Sequence, residues 1–135
     1  MGIEGLEQGE VLFIPVRLAA HRKFLIFLGT HKGTNQAGFF TINSQGRTNP
    51  TKQRFQYLIP AKRNKSFLFR DSYVDCAEVQ KFRATEINSL IEKDRGVKRG
   101  NVASTDLGSI IALADSCPAI SPIDKLRFGI RKAAG

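Results

Sequence analysis

The sequence predicts an α+β protein that is mainly β: a small barrel or strongly bent sheet with two short helices towards its C-terminal end. Short β-branched and aromatic runs separated by turn residues fill the first two-thirds of the chain, and an apolar period of 3.6 appears only after them. The 135 residues suit one domain, comprising a β half (9–82), a helical half (83–118) and a basic tail (119–135). Phe128 and Ile130 are the last apolar anchors of that tail.

The first three strands follow in order from their apolar residues. Residues 10–16 form one strand, and the continuous apolar run at 23–29 is typical of a strand buried on both faces. Turn residues at 30–36 join this run to a third strand at 38–44, which predicts a hairpin. Residues 46–54 contain Gly, Asn, Pro and three bases but no apolar side chain, which predicts a mobile loop.

Further strands are predicted at 55–59, 66–69 and 73–82, the last with an interruption at 76–77. A basic turn at 61–65 separates the first two of these strands. The β half therefore consists of many short strands, which favours a curved sheet over a flat one.

Two helices are predicted on either side of a loop at 94–101. Thr85 is placed to cap the first and Ser104 to cap the second. Asp106 lies in the first turn of the second helix, where a negative charge suits the helix dipole, and Pro118 ends that helix. The apolar stripes at helical spacing are Ile87, Leu90 and Ile91 in the first helix and Leu107, Ile110, Ile111 and Ala114 in the second.

Charge is the most unusual feature of the chain. The net charge is +9, from 21 Lys and Arg against 12 Asp and Glu. No acidic residue occurs between Glu10 and Asp71, although those positions hold eleven bases. Aromatic residues are interleaved with these bases, as in proteins that bind nucleic acid through cationic grooves and stacking rings, although most of the rings are also expected to be core residues. We therefore expect a polyanionic partner.

The composition of the same segment excludes several kinds of active site that would be built from its residues alone. It has no carboxylate and no cysteine, so it cannot supply paired carboxylates or the ligands that hard cations prefer. Transesterification within RNA is compatible with what remains, because the 2′-hydroxyl of the substrate is the nucleophile. Arg22 can hold a phosphate and His21 can exchange protons, directly before a buried strand. We expect no metal and no cofactor.

A cytoplasmic location is expected. The longest apolar run, at 24–28, is far shorter than the roughly 20 residues that span a bilayer, and the acidic N-terminus does not resemble a signal peptide. Cys76 and Cys117 suit that compartment as free thiols.

Several strings resemble the MazF/PemK family of toxins from type II toxin–antitoxin systems, which have the CcdB-like fold, a small SH3-like barrel. GEVLF at 9–13 resembles the opening strand of the family, and RKFLIFL at 22–28 resembles the strand that carries its active-site Arg-Pro pair. KRGNVASTDLGSI at 98–110 resembles its basic stretch followed by a capped helix. NSQ at 43–45 resembles the string with the catalytic hydroxyl, and YVDCAEV at 73–79 lies where the family has its dimer-side strand.

The resemblance implies metal-independent cleavage of single-stranded RNA by a homodimer, with a small acidic antitoxin that occupies the same groove. Arg22 would stabilise the phosphorane, and Ser44 would bind the scissile phosphate or assist proton transfer. His21 or Lys23 would supply an auxiliary acid or charge. Lys23 and Phe24 follow Arg22 where the family has Pro, so either Arg22 or Lys23 takes the position of the catalytic cation.

Seven further bases would line the RNA path from loops under this reading: Lys32, Arg47, Lys52, Arg54, Lys62, Arg63 and Lys65. Two alternatives stay open. A non-catalytic nucleic-acid-binding module on an SH3-like barrel would bind RNA or DNA with steep salt dependence and without cleavage. A CcdB-like inhibitor of a protein target would have little affinity for free RNA.

Overall fold

The computed structural model describes residues 5–15 and 22–132. These residues form a curled antiparallel sheet of seven strands, shaped as a half-barrel, with four short helices. The predicted class, α+β and mainly β, is confirmed. The strands are β1 (Glu10–Pro15), β2 (Arg22–His31), β3 (Gln36–Asn43), β4 (Gln56–Ile59), β5 (Ser72–Asp75), β6 (Gln80–Arg83) and β7 (Lys98–Asn101). The helices are α1 (Pro50–Arg54), α2 (Ala84–Lys93), α3 (Ser104–Asp115) and α4 (Pro122–Arg127).

The sheet is built around the β2–β3 hairpin. Its strand order is β4-β5-β3-β2-β1-β7, and β6 also pairs with β3. The predicted hairpin is confirmed, and its turn ends at Asn35, which has a φ of 55° and so adopts the left-handed conformation that Asn tolerates. β2 pairs with β1 on its other side, with Phe13 opposite Phe24.

β3 has two partners in succession on its outer side. Its C-terminal end pairs with β5, where Ile42 lies opposite Val74, and its N-terminal half pairs with β6, where Ala37 lies opposite Phe82. The register moves by three residues between the two pairings, so the chain leaves the ladder between β5 and β6. The predicted interruption at 76–77 is thus confirmed.

Both faces of the hairpin are buried, as the continuous apolar run predicts. On one face Ile26 and Phe40 belong to a core cluster that includes Ile110 and Ala114 of α3, as well as Phe128. On the other face, a second cluster joins Leu25, Phe27 and Phe39 to Ile87 and Ile91 of α2. The apolar stripes of the two predicted helices therefore pack on opposite sides of one sheet.

Three of the predicted elements differ from those observed. The strand predicted at 66–69 is wrong: this segment forms turns, in which Phe67 and Leu68 are buried but Phe69 is exposed. The loop predicted at 46–54 contains α1, which the side chain of Asn49 caps by accepting from two backbone N–H groups. The loop predicted at 94–101 ends as β7, which pairs with β1.

The predicted caps are also wrong. Thr85 and Ser104 both lie inside their helices, and Arg83 and Ala103 occupy the cap positions without a side-chain hydrogen bond. The basic tail contains α4, which Ser121 caps. Phe128 and Ile130 are buried, so the predicted anchoring of this segment is confirmed.

The two cysteines, Cys76 and Cys117, are free and buried. Burial raises the pKa of the Cys76 thiol, which keeps it protonated at neutral pH. Within the described ranges, no helix combines the length and apolar character that a membrane span requires.

Phe128 packs directly on the backbone of the hairpin, which leaves no room for a side chain at Gly38. A Cβ placed there would lie 2.7 Å from the Phe128 ring and 2.9 Å from Cγ1 of Val79. We expect Gly38→Ala to lower the free energy of unfolding by about 1–3 kcal/mol, because the ring must shift out of its site. Urea denaturation measures the change.

Gly108 provides the matched control, because it lies within α3 and nothing approaches the position of its Cβ within 4 Å. Gly108→Ala should raise the free energy of unfolding by about 0.5–1 kcal/mol, since Ala restricts the unfolded chain and favours the helix. A Gly38→Ala protein as stable as the parent would contradict the packing described for Phe128.

Candidate functional site

A pocket of about 280 Å³ opens at the end of the sheet where the central strand β2 begins and its neighbour β3 ends. Strand β1 contributes Phe13, and a further wall is formed by Phe67, Leu68, Phe69, Arg70 and Ser72. The remaining lining residues come from the β2–β3 pair: Arg22, Lys23, Phe24, Ile42, Asn43 and Ser44.

The hairpin register brings three of the predicted catalytic residues together. Because Phe24 lies opposite Ile42 in the antiparallel pair, the start of β2 meets the end of β3. Arg22, Lys23 and Ser44 therefore line the same pocket, although they come from separate strings of the sequence. The fourth predicted catalytic residue, His21, lies outside the described residues.

A hydrogen bond fixes the lysine of this group. Nζ of Lys23 donates to Oδ1 of Asn43 over 2.7 Å, and Asn43 is buried at the end of β3. Arg22 and Ser44 are exposed. Arg22 forms no ion pair with a carboxylate among the described residues, so its guanidinium is available to an anion.

The pocket combines positive charge with apolar walls. Arg22, Lys23 and Arg70 contribute three bases, and no described lining residue is acidic. Apolar side chains, among them Phe24 and Phe67, form much of the surface. Such a site attracts an anionic ligand that also has an apolar part.

Sequence reasoning missed Arg70 and the aromatic row beside it. Arg70 is the last base of the acid-free segment, so its charge was a usable signal. The rings of Phe13 and Phe24 lie 4.6 Å apart and those of Phe24 and Phe67 lie 6.1 Å apart. The guanidinium of Arg99 lies 4.9 Å from the Phe13 ring centre, within the range of a cation–π contact. Only the fold brings these four side chains into a row.

Two further depressions continue the pocket along the surface. One of about 250 Å³ shares Lys23, Asn43 and Ser44 with the pocket and reaches Arg47. The next, of about 340 Å³, is also lined by Arg47 and extends to Lys52 and the acidic Glu78. The three depressions form one path, because each shares lining residues with the next.

The other predicted RNA-binding residues are dispersed. Arg54, Lys62 and Lys65 are exposed on loops and short helical segments after β3. Lys32 is exposed in the β2–β3 turn, at the far end of β2 from Arg22, which corresponds to roughly 30 Å of strand.

Lys52 already has two anionic partners. Its Nζ lies 2.7 Å from Oδ2 of Asp75 and 2.8 Å from Oε1 of Glu78. Hydrogen bonding to Lys52 lowers the pKa of Glu78. With one base and two acids, this group has a formal charge of −1, so it does not attract a polyanion.

Arg63 is bound to a completely buried carboxylate, that of Asp106 in α3. Its Nη2 lies 2.7 Å from Oδ1 and its Nε 3.2 Å from Oδ2 of Asp106. The hydroxyl of Tyr57 donates to Oδ1 over 2.6 Å, and Nδ2 of Asn64 donates to Oδ2 over 3.0 Å. Hydrogen bonds, chiefly from Arg63, lower the pKa of Asp106 to about 2, although burial opposes this shift.

This network holds the segment that forms the pocket wall. Asn64 also donates to the carbonyl of Pro60 over 2.8 Å and accepts from the Ala103 N–H over 2.9 Å. It thereby joins the turn after β4 to the start of α3. The sequence indicated only a dipole role for Asp106, because its partners lie more than forty positions away.

No model of a known protein family matches this chain, and no curated protein has a matching sequence. Among residues 5–15 and 22–132, no group of three or more His, Cys, Asp and Glu side chains is arranged to hold a metal ion. Function is therefore inferred from the pocket, its charges and its neighbours.

The low pKa of Asp106 makes stability depend on pH. The carboxyl titrates near 3.8 in an unfolded chain and near 2 in the fold, so its stabilising effect is complete above pH 4 and is lost as pH falls from about 4 to 2. Asp106→Asn should lower the free energy of unfolding by about 2 kcal/mol at pH 7 and flatten its dependence on pH in that range. Urea denaturation at several pH values measures both effects.

Asp115 is the matched control, because it also pairs with an arginine, Arg131 at 2.8 Å, but is 43% exposed. Asp115→Asn should change the free energy of unfolding by less than about 1 kcal/mol. An Asp106→Asn protein with the parental pH dependence would show that the buried network is not the source of acid sensitivity.

Proposed function

We propose that this protein is a metal-independent endoribonuclease that cleaves single-stranded RNA by transesterification, with the pocket at the start of β2 as its active site. One observation carries the proposal: Arg22, Lys23 and Ser44 line one pocket together with Arg70, and no described lining residue is a carboxylate. This arrangement suits a reaction that moves protons and stabilises phosphate charge.

Each proposed catalytic residue has a separate role in the transesterification. The 2′-oxygen of the RNA attacks the adjacent phosphorus and loses its proton, and the 5′-oxygen leaves with a proton, so that a 2′,3′-cyclic phosphate and a 5′-hydroxyl are formed. Arg22 binds the non-bridging oxygens through its planar fork and stabilises the phosphorane. Ser44 donates a hydrogen bond to the same phosphate. Lys23, oriented by Asn43, adds charge, and His21 exchanges the protons.

The RNA strand follows the first two depressions, which share Lys23, Asn43 and Ser44. It extends from Arg70 through the catalytic group to Arg47, which has no ion pair among the described residues. The exposed bases Arg54, Lys62 and Lys65 add longer-range attraction, whereas the charges of Lys52 and Arg63 are already paired. Binding should therefore weaken steeply with salt.

The proposal extends to the fold family and to partners. The curled antiparallel half-barrel and the short C-terminal helices are compatible with an SH3-like barrel of the CcdB and MazF/PemK type. We propose that this protein is the toxin of a type II toxin–antitoxin system and that it acts as a homodimer. Its antitoxin would be a small acidic protein that covers the cationic path, since the chain has a net charge of +9.

Cleavage that persists in EDTA tests the proposal. The purified protein should cut an unstructured RNA in excess EDTA and leave 2′,3′-cyclic phosphate ends, detected by gel electrophoresis and mass spectrometry. Arg22→Ala should slow cleavage by about 100- to 1,000-fold, because it removes a donor that stabilises the phosphorane.

Arg127→Ala removes an equal charge from the exposed last turn of α4 and should leave the rate unchanged. Equal cleavage by the Arg22→Ala and parent proteins, with equal thermal stability, would refute the assigned site. RNA binding without any cleavage would instead establish the non-catalytic module. An effect on a protein target without RNA affinity would indicate the inhibitor.

A further inference from the structure

One aromatic side chain lies fully in solvent at the rim of the pocket. Phe69 has a relative exposure of 103%, whereas Phe67 and Leu68 directly before it are buried. The backbone of this segment is held in place, because the N–H groups of Phe67 and Leu68 both donate to the carbonyl of Asn64. Asn64 is itself bound to Asp106. The Phe69 ring is therefore presented to solvent on a fixed turn.

The neighbours of this ring indicate what it could bind. A single exposed apolar side chain is common and needs no explanation. Phe69, however, borders a cavity whose wall includes Phe24 and Phe67 and whose charges include Arg22 and Arg70. A ligand that fills this space must offer a flat apolar face and a negative charge at once.

We propose that Phe69 stacks on one unpaired nucleobase of the RNA, while Arg70 and Arg22 hold the phosphate beside it. This inference rests on the proposed function and specifies how the pocket recognises its substrate. Every nucleotide supplies both a π-face and an anionic phosphate, and stacking on an aromatic side chain favours single strands, whose bases are accessible. The volume of about 280 Å³ is close to the lower end of the range for small-molecule pockets, about 300–1,000 Å³.

A peptide with carboxylate side chains alone, such as polyglutamate, would satisfy only half of this arrangement. Its carboxylates would neutralise Arg22 and Arg70, but it has no aromatic ring to cover Phe69. Stacking on this ring therefore distinguishes a nucleotide from polyglutamate.

The absence of tryptophan from the chain allows a direct test. Phe69→Trp places a single tryptophan on the pocket rim. A 2′-O-methyl oligonucleotide, which lacks the attacking hydroxyl and so cannot be cleaved by this route, should quench its emission on binding. Leu58→Trp is the control: Leu58 is 52% exposed on β4 and outside the pocket lining, so its emission should not change. Fluorescence anisotropy of a labelled oligonucleotide reports binding independently.

Two anionic ligands that lack bases distinguish the effect of stacking from the effect of charge. They are an abasic oligonucleotide of equal length and polyglutamate. Neither should quench Phe69→Trp, although both carry negative charge. Phe69→Ala should weaken binding of the base-containing oligonucleotide by about 5- to 150-fold, whereas Leu58→Ala should leave it unchanged.

The outcomes distinguish this inference from the proposed function. Binding by anisotropy without quenching of Phe69→Trp, or equal quenching by polyglutamate, would overturn the stacking role while RNA binding stands. No binding of the oligonucleotide to either tryptophan variant would overturn both. Equal affinity of Phe69→Ala and the parent protein would also overturn the stacking role.

Discussion

The buried carboxylate of Asp106 is the constraint on which the pocket depends. A charge removed from water must be paired and hydrogen-bonded, and here Arg63, Tyr57 and Asn64 all meet that demand. These three residues belong to β4 and the turns after it, whereas Asp106 belongs to α3. The hydrogen bonds to Asp106 therefore hold the irregular segment after β4 against α3. This segment leads to Phe69 and Arg70, which line the pocket.

The positions of the acids also explain where positive charge remains. Two bases of the acid-free segment form ion pairs with carboxylates from later parts of the chain. Lys52 pairs with Asp75 and Glu78, and Arg63 pairs with Asp106. Lys23, in contrast, is bound by a neutral amide, and the pocket around it has no acid among its described lining residues. The pocket thus keeps the three bases Arg22, Lys23 and Arg70 without an acid among its described lining residues, while other bases of the acid-free segment are dispersed over the surface.

Local patterns predicted those parts of the fold that local contacts determine. The β2–β3 hairpin, the break after β5 and the apolar faces of α2 and α3 follow from periodicity and turn residues. The strand predicted at 66–69 is wrong because the buried Phe67 and Leu68 belong to a turn whose N–H groups donate to the carbonyl of Asn64. The network around Asp106 and the aromatic row at Phe13 join residues far apart in sequence, so no local pattern contains them. Arg22 and Ser44 were predicted as members of one site from the family resemblance and not from a local pattern. The hairpin register is what brings them to the same pocket.

The distance along the chain between Asp106 and its partners has a consequence for the order of folding. The β1–β2–β3 strands close through contacts between neighbours in sequence, whereas Tyr57, Arg63 and Asn64 bond across 49, 43 and 42 positions. Loop closure over such separations costs more entropy than closure of the hairpin, so we expect the segment around Asn64 to order after the β2–β3 hairpin during folding.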